Sequence, residues 1–271
     1  GRLLSSRTIL SNVQIHDGMV DFLIIGTRRA GSSSFYRDML QHPQIVSAYK
    51  DDTNFFDLHY SKGLEWYVRQ FPLLSEYSEQ TRPSGNITGE ASPHYMFHPL
   101  VAERVKRHYP QMKLIVILRN PTDRAYSHFR HAVENGHEHL SFNDALRVEA
   151  KRLERGRFNL EDNPFHEAAA ARHNTYISHG YYAQQLRTWF RHFDKSHFLV
   201  IRTEDYFTNP QPEIAKAFAF LGLSPLPAIR AEARTVDPYE RLRSETRSIV
   251  DNLYRRPNEE LCHLLGWQRA W

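Results

Sequence analysis

A short cationic loop near the beginning of the chain carries groups that could hold an anion. Gly26 and Gly31 enclose this loop in the pattern G-x-x-x-x-G, and the residues that could contact an anion are Arg28, Arg29, Ala30, Gly31, Ser32 and Ser33. Backbone N–H groups of such a loop converge on phosphate together with the N-terminus of a following helix. Ser32 stands where a nucleoside-triphosphate loop has lysine. The pattern predicts a phosphate site that is not built for ATP or GTP hydrolysis; an ordinary strand-to-helix turn is the alternative.

A second candidate anion site begins at Arg119, directly after the apolar run 114–118. A helix is expected to begin at Pro121, which would bring Ser127 near the same face as Arg119. Arginine holds phosphate by charge and bidentate hydrogen bonds, whereas a magnesium-dependent hydrolase needs an acidic residue at such a strand end. The segment therefore indicates a second bound phosphate, although taken alone it could be a surface arginine at a helix start.

Apolar runs that alternate with helical segments must position these residues. The predicted strands are 22–25, 86–88, 114–118 and 198–201, and the predicted helices are 33–40, 100–109, 182–193 and a pair around Pro257 within 243–265. This alternation predicts right-handed βαβ crossovers and an α/β fold, a central parallel sheet flanked by helices and similar to P-loop proteins. Both candidate anion sites then lie at the carboxyl ends of strands, where such sheets bind ligands.

Length and charge favour one domain that binds a small anionic ligand. The 271 residues, 41% of them hydrophobic, suit a single α/β domain over 1–271, with a nucleotide-binding core over 20–130. The polar stretch 134–175 is expected to be an insertion over the site that selects the acceptor. Residues 1–19 are expected to form a peripheral arm or edge hairpin. A net charge of +4 is too small to indicate nucleic acid as a partner.

Cysteine and histidine usage indicates neither a disulfide framework nor a metal site. Cys262 is the only cysteine, which fits a reducing compartment, and we expect a cytoplasmic location. No run approaches the roughly 18 apolar residues that span a bilayer, and no apolar signal core is found, so no membrane segment is expected in this chain. For His128, His131, His137 and His139, solvated loop positions or acceptor contacts are favoured over zinc, because no cysteine or HExxH helix accompanies them.

Together these motifs resemble those of sulfotransferases that use 3′-phosphoadenosine 5′-phosphosulfate (PAPS), and the likeness extends from about Phe22 to Trp271. Gly26–Ser33 is similar to the 5′-phosphosulfate loop of that family, and Arg119–Ser127 to its 3′-phosphate motif, R-[DN]-P-x-x-R-x-x-S. Further similar segments are Asp51–Asp57 with His59–Tyr67, which look like K-E-x-x-F-F and Y-x-x-G-x-x-W-Y of the heparan-sulfate type, and Gly89–Tyr95, which resembles a substrate-side motif of the bacterial branch.

The resemblance implies metal-independent, in-line transfer of a sulfuryl group from PAPS to a hydroxyl or amine of a small-molecule or saccharide acceptor. The implied catalytic residues are Asp52 as general base, Arg29 in place of the family's loop lysine, and His94 as an acceptor contact, with Asp57 and His59 as further base candidates. The implied cofactor contacts include Tyr182 at the nucleotide and Arg234, Arg241 or Arg243 at the 3′-phosphate. Ala91 stands where the animal glycosaminoglycan enzymes usually have lysine, which counts against polysaccharide specificity of that kind.

Two other functions remain open at this point. A P-loop nucleotide kinase would bind ATP with magnesium, but the loop lysine and the strand-end acid are both missing. An anion-binding module without catalysis is the other alternative, since Arg29 and Asp52 both depart from the residue types that the family uses. The sequence does not name the acceptor or the oligomeric state.

Overall fold

The structure, a computed structural model, describes residues 20–72, 84–162, 173–230 and 242–271, with the backbone alone described for residues 155–162. The predictions for residues 1–19 and for Arg234 and Arg241 lie outside the described residues, so they stay predictions.

The core of the protein is a five-stranded sheet in which every neighbouring pair is parallel. The strands are β1 (Phe22–Gly26), β2 (Ile45–Ser47), β3 (Ile87–Ala91), β4 (Lys113–Leu118) and β5 (Phe198–Arg202), in the spatial order β2-β3-β1-β4-β5. The α/β fold with a central parallel sheet is therefore confirmed. The sequence did not indicate β2, because three residues are too short to show a periodic pattern.

Helices flank the sheet, and apolar clusters fill both of its faces. The helices formed by the described residues are α1 (Ser32–Met39), α2 (Leu64–Val68), α3 (Val101–His108), α4 (Pro121–Glu134), α5 (Phe142–Asp162), α6 (Tyr182–Phe190), α7 (Thr203–Thr208), α8 (Pro210–Leu221) and α9 (Ser244–Leu265). Alternate residues of β1 enter opposite clusters, Leu23 and Ile25 on one face and Phe22 and Ile24 on the other. Such two-sided burial explains the continuous apolar run of the strand. No helix among the described residues is long and apolar enough to cross a membrane.

The C-terminal segment differs from the prediction. One continuous helix, α9, replaces the predicted pair of helices, and Pro257 lies inside it. Proline removes one backbone hydrogen bond and disfavours a helix interior. Here Val250 and Tyr254 before the proline, and Leu261 after it, are all buried against the domain. We attribute the continuity of α9 to this burial on both sides of the proline.

Close approach between β1 and β3 explains the glycine in β3. Gly89 pairs with Phe22, and a Cβ atom on Gly89 would lie 2.3 Å from the Phe22 carbonyl oxygen. A backbone atom in a central strand cannot move aside without disturbing the ladder. The observed strand, Ile87–Ala91, begins one residue later than predicted and ends three residues later. The Phe22 carbonyl leaves space only for glycine at position 89.

We expect Gly89→Ala to lower the free energy of unfolding by about 3 kcal/mol, because the added methyl group overpacks the sheet. Gly136→Ala is the matched control: nothing lies within 4 Å of its Cβ, and only its φ of +70° is unfavourable for alanine. That control should cost about 1 kcal/mol. Urea unfolding of both variants measures the difference, and equal losses would contradict this account of β3.

Candidate active site

The carboxyl ends of β1, β3 and β4 meet at one edge of the sheet and border a cavity of about 530 Å³. The residues that line it are Arg28, Arg29, Gly31, Ser32, Ser33, Ser34, Asp52, Asn54, Pro93, His94, Arg119, Ser127, His131 and Phe207. The fold thus brings the two predicted anion motifs and the three predicted catalytic residues to the same cavity. We refer to it as the strand-end pocket.

The phosphate loop leads directly into helix α1. Gly31 precedes the helix with φ of +88°, and Arg29 also adopts a positive φ, of 65°. A Cβ on Gly31 would lie 2.9 Å from the Phe207 ring, so both conformation and space favour glycine. Thr203 Oγ1 donates to the Ala30 carbonyl at 2.7 Å and ties the loop to α7. The N-terminus of α1, with Ser32 and Ser33 in its first turn, therefore borders the pocket, where it favours an anion.

The two anion motifs contact each other across the pocket. Arg29 Nε donates to Ser127 Oγ at 3.2 Å, and Arg119 Nη1 donates to the Arg29 carbonyl at 3.1 Å. Asn120 caps α4, because its side chain accepts hydrogen bonds from Thr122 N and Asp123 N. The cap fixes the direction of α4, and Ser127 faces the loop for that reason.

A group of hydrogen bonds holds the backbone behind Arg119. The Tyr182 hydroxyl donates to the Arg119 carbonyl at 2.8 Å. Asn120 N donates to Glu204 Oε1, and Trp271 Nε1 donates to Glu204 Oε2, each at 2.8 Å. Tyr182 is buried and is not among the residues that line the strand-end pocket. It supports Arg119 from behind, and its own contact with a nucleotide stays a prediction.

Asp52 and His94, two of the predicted catalytic residues, line the same pocket. The Asp52 carboxylate is exposed and accepts a hydrogen bond from Asn54 Nδ2 at 3.2 Å. Behind it, the buried Asp57 Oδ2 lies 3.4 Å from His94 Nδ1. His59 is half-buried and its ring contacts Trp66. Of the two further base candidates, Asp57 can therefore act only through His94, and neither lines the pocket itself.

Two further buried histidines, His128 of α4 and His179, lie close to His94. His94 and His128 each lie near His179, with ring centroids 5.3 and 5.4 Å apart, and Phe97 stacks on His179 at 3.7 Å. Burial lowers the pKa of His128 well below 6.5, and the positive charge of Arg28 is the second cause. Burial likewise lowers the pKa of His179 well below 6.5. These two imidazoles are neutral near pH 7, so arginine side chains supply the positive charge of the pocket.

The predicted histidine group divides between buried and exposed positions. His128 is buried in α4, so its assignment as a solvated loop residue was wrong: the helix turns this position toward His179 and Tyr176. His131 lines the pocket, whereas His137 and His139 are exposed. Among the described residues, no group of three His, Cys, Asp or Glu side chains is arranged to hold a metal ion.

Five pocket residues are absent from the predicted catalytic and cofactor-binding residues: Ser34, Asn54, Pro93, His131 and Phe207. Phe207 lies on α7, which begins directly after β5, so the strand-end rule that indicated Arg119 could have found it. Asn54 adopts a left-handed φ of 49°, a conformation in which asparagine is enriched. Arg243 immediately precedes α9 and does not line the pocket.

A second cavity of about 860 Å³ lies beside α9 and is lined by Asn120, Asp251, Arg255, Trp267 and Trp271 among others. It contains none of the predicted catalytic or cofactor-binding residues among those that the structure describes. The strand-end pocket is the smaller of the two cavities. It is the candidate site because it contains arginine side chains and a helix N-terminus, which bind anions.

Comparisons with known proteins agree with this geometry. The family model described as a sulfotransferase domain matches residues 20–241. Among solved structures, a sulfotransferase from Alicyclobacillus acidocaldarius is similar with a TM-score of 0.74 and 25% identity, covering 93% of this chain and 97% of that chain. Among curated proteins, heparan sulfate glucosamine 3-O-sulfotransferase 6 of Mus musculus is 31% identical over 74% of this chain and 52% of its own length.

Two further relatives match over most of this chain. Membrane-associated sulfotransferase kil1 of Dictyostelium discoideum is 23% identical, and the match covers 93% of this chain and 66% of that protein. Bifunctional heparan sulfate N-deacetylase/N-sulfotransferase 4 of Mus musculus is 26% identical, and the match covers 96% of this chain and 31% of that protein. The chain thus spans between about a third and two thirds of the length of these curated relatives.

The buried histidines predict a loss of stability in acid. Because His179 has a lowered pKa in the folded protein, the unfolded chain binds its proton first, and stability falls as the pH drops below about 6.5. We expect His179→Gln to reduce the slope of unfolding free energy against pH by about 1.4 kcal/mol per pH unit between about pH 6 and pH 5.

Urea unfolding at several pH values measures this slope, which is independent of any constant loss of packing in the variant. The exposed His139 provides the control, and His139→Gln should keep the wild-type slope. A His179→Gln slope equal to that of the wild type would show that this ring is protonated in the folded state.

Proposed function

The chain belongs to the sulfotransferase family, and from this membership we propose that it transfers a sulfuryl group from PAPS to a hydroxyl or amine of a small-molecule or saccharide acceptor. The observation that carries the proposal is the contact between the two anion motifs, in which the Arg29 side chain donates to Ser127 and the Arg29 carbonyl accepts from Arg119. Two phosphate positions at one pocket match a donor with a 5′-phosphosulfate and a 3′-phosphate.

The residues present fit this donor. The first turn of α1 and Arg29 would hold the 5′-phosphosulfate through backbone N–H groups and charge. Arg119 and Ser127 would hold the 3′-phosphate at the N-terminal half of α4. Asp52 is the one carboxylate among the described residues that line the pocket, so repulsion of a multiply charged anion is small. Phe207 adds an apolar ring to the same pocket.

The transfer itself is an in-line displacement at sulfur. The acceptor oxygen or nitrogen forms a bond to sulfur while the bond from sulfur to the phosphate oxygen breaks, which releases adenosine 3′,5′-bisphosphate. Negative charge grows on that phosphate oxygen, and Arg29 with the α1 N-terminus stabilises it. Arginine cannot give up a proton at neutral pH, so Arg29 acts by charge and position alone.

The acceptor would enter beside Asp52, Pro93 and His94. Asp52 is exposed and can accept the proton that the acceptor loses late in the transfer. His94, held near Asp57, would orient the acceptor by a hydrogen bond. The names of the glucosamine sulfotransferases among the relatives support a saccharide. Position 91, where the animal glycosaminoglycan enzymes usually have lysine, is a buried alanine at the end of β3. This position therefore offers no positive charge to the acceptor.

The proposal predicts that adenosine 3′,5′-bisphosphate binds to the isolated protein and that the 3′-phosphate contributes strongly. Calorimetry should show tighter binding of the bisphosphate than of adenosine 5′-monophosphate. Ser127→Ala removes one hydrogen bond to a charged group, worth about 1.5 to 3 kcal/mol, and should weaken bisphosphate binding by about tenfold or more.

Arg187→Ala is the control, because Arg187 pairs with Glu260 on the surface and does not line the pocket. It should bind the bisphosphate as the wild type does. Absence of binding, or equal affinity for the two nucleotides, would exclude a PAPS donor. Magnesium-dependent ATP binding in the same assay would instead support the nucleotide kinase.

Asp52→Asn separates an enzyme from a binding module without catalysis. Loss of the proton acceptor should lower the rate of sulfate transfer by about a hundredfold or more, with bisphosphate affinity nearly unchanged. Asp51→Asn changes an exposed neighbour whose side chain does not line the pocket and should keep the wild-type rate. Labelled PAPS with a panel of saccharide and small-molecule acceptors measures both rates. Equal rates in the two variants would remove Asp52 from the mechanism.

A further inference from the structure

We propose that Glu90 is a positioning residue: together with Tyr67, Ser92 and Tyr95 it forms a buried anchor that fixes the backbone on both sides of Asp52 and so places the proton acceptor. We call these four residues the Glu90 anchor. The inference deepens the proposed function, and its catalytic part rests on that function. Neither motif spacing nor the comparisons assign this role to Glu90.

The carboxylate of Glu90 is fully buried and is surrounded by donors. Oε1 accepts hydrogen bonds from the hydroxyls of Tyr67 and Tyr95, both at 2.9 Å. Oε2 accepts from Thr53 N at 2.8 Å and from Ser92 Oγ at 2.7 Å. Each oxygen thus receives two hydrogen bonds, which matches the acceptor capacity of an ionised carboxylate.

The bond from Thr53 N to Glu90 begins a series of contacts to the Asp52 segment. The Tyr95 hydroxyl, which donates to Glu90, accepts hydrogen bonds from Phe55 N at 2.9 Å and Phe56 N at 3.3 Å. Ser92 Oγ accepts from Asn54 N at 3.2 Å. The four consecutive backbone amides from residue 53 to residue 56 therefore all bond to side chains of the Glu90 anchor.

The residue before Asp52 is held by the same strand. Ala91 N donates to the Asp51 carbonyl at 2.9 Å. Asp52 thus lies between two backbone positions that are fixed on β3, while its carboxylate projects to the exposed edge of the pocket. The anchor acts on the position of the backbone and does not touch the reacting atoms.

This arrangement divides the segment Gly89–Tyr95 into two functional sets. Glu90, Ser92 and Tyr95 face the Asp52 segment, whereas Pro93 and His94 line the pocket. The motif that resembles a substrate-side motif is therefore mainly a scaffold for the proton acceptor. Mutations in its two sets should have different kinetic signatures.

The chemistry of the anchor depends on a negative charge. Burial raises the pKa of Glu90, and the hydrogen bonds from Ser92 and Thr53 oppose that rise. Burial raises the pKa of Tyr67 and Tyr95 well above 10, and the negative charge of Glu90 is the second cause. Both phenols therefore stay protonated and donate hydrogen bonds to Glu90. Glutamine at position 90 would direct an NH₂ group at two donors and would leave buried groups unpaired.

The experiment compares two buried tyrosines of the same apolar cluster. Tyr95→Phe removes the hydroxyl that joins Glu90 to Phe55 N and Phe56 N and keeps the ring. Tyr109→Phe is the matched control, because among the described residues the Tyr109 hydroxyl has no hydrogen-bond partner. Tyr95→Phe keeps the Glu90 carboxylate and three of its four donors, so it disturbs the anchor less than Glu90→Gln does.

We expect Tyr95→Phe to lower kcat by about tenfold, while the affinity for adenosine 3′,5′-bisphosphate changes less than about twofold, because the donor side of the pocket is intact. Tyr109→Phe should retain kcat. In an Asp52→Asn background, Tyr95→Phe should have no further effect on kcat, since the anchor acts through Asp52. Equal fractional losses of kcat with and without Asp52 would overturn the proposal.

Amide hydrogen exchange tests the anchor without any activity. Tyr95→Phe should speed exchange of residues 53–56, and Tyr109→Phe should not. Unchanged exchange in Tyr95→Phe would overturn the proposal. If the wild-type protein transferred no sulfate to any acceptor, the proposed function would fail, whereas the exchange result would still show whether the anchor holds the segment.

Discussion

The central position of β1, between β3 and β4, is the constraint on which the site depends. Parallel pairing on both sides brings three strand ends to one edge, so the phosphate loop, the Asp52 segment and Arg119 meet there. Gly89 lets β1 and β3 approach closely, and the Asn120 cap directs α4 toward the loop. Any change in the β1 pairing would separate groups that are distant in the chain.

Charge is distributed across the pocket in a way that suits group transfer. In the proposed function, the cationic arginines and the α1 N-terminus bind the donor, and the exposed Asp52 serves the acceptor. The buried His128 and His179, which do not line the pocket, are neutral near pH 7. The buried carboxylate of Glu90 does not line the pocket, and hydrogen bonds from its donors stabilise its negative charge. The proposed function thus assigns anion binding and proton acceptance to different residues of one cavity.

Patterns that come from local chemistry could be read from the sequence. Apolar runs predicted three of the five strands, and a weaker signal at 86–88 predicted part of β3. Glycine, serine and arginine at strand ends predicted both anion motifs. Predictions that depended on packing were less successful. Burial on both sides of Pro257 keeps α9 continuous, and packing against His179 places His128 inside the protein. Neither effect leaves a periodic signal in the chain.

The sequence by itself determined the fold class, the family and the residue types of the strand-end pocket, because strand burial and loop composition are local properties. The tertiary structure decided which side chains meet. It placed Tyr182 behind Arg119, added Phe207 to the pocket, and surrounded Glu90 with donors from three segments. These contacts join residues that are far apart in the chain, and strand register and helix direction, rather than sequence spacing, set them.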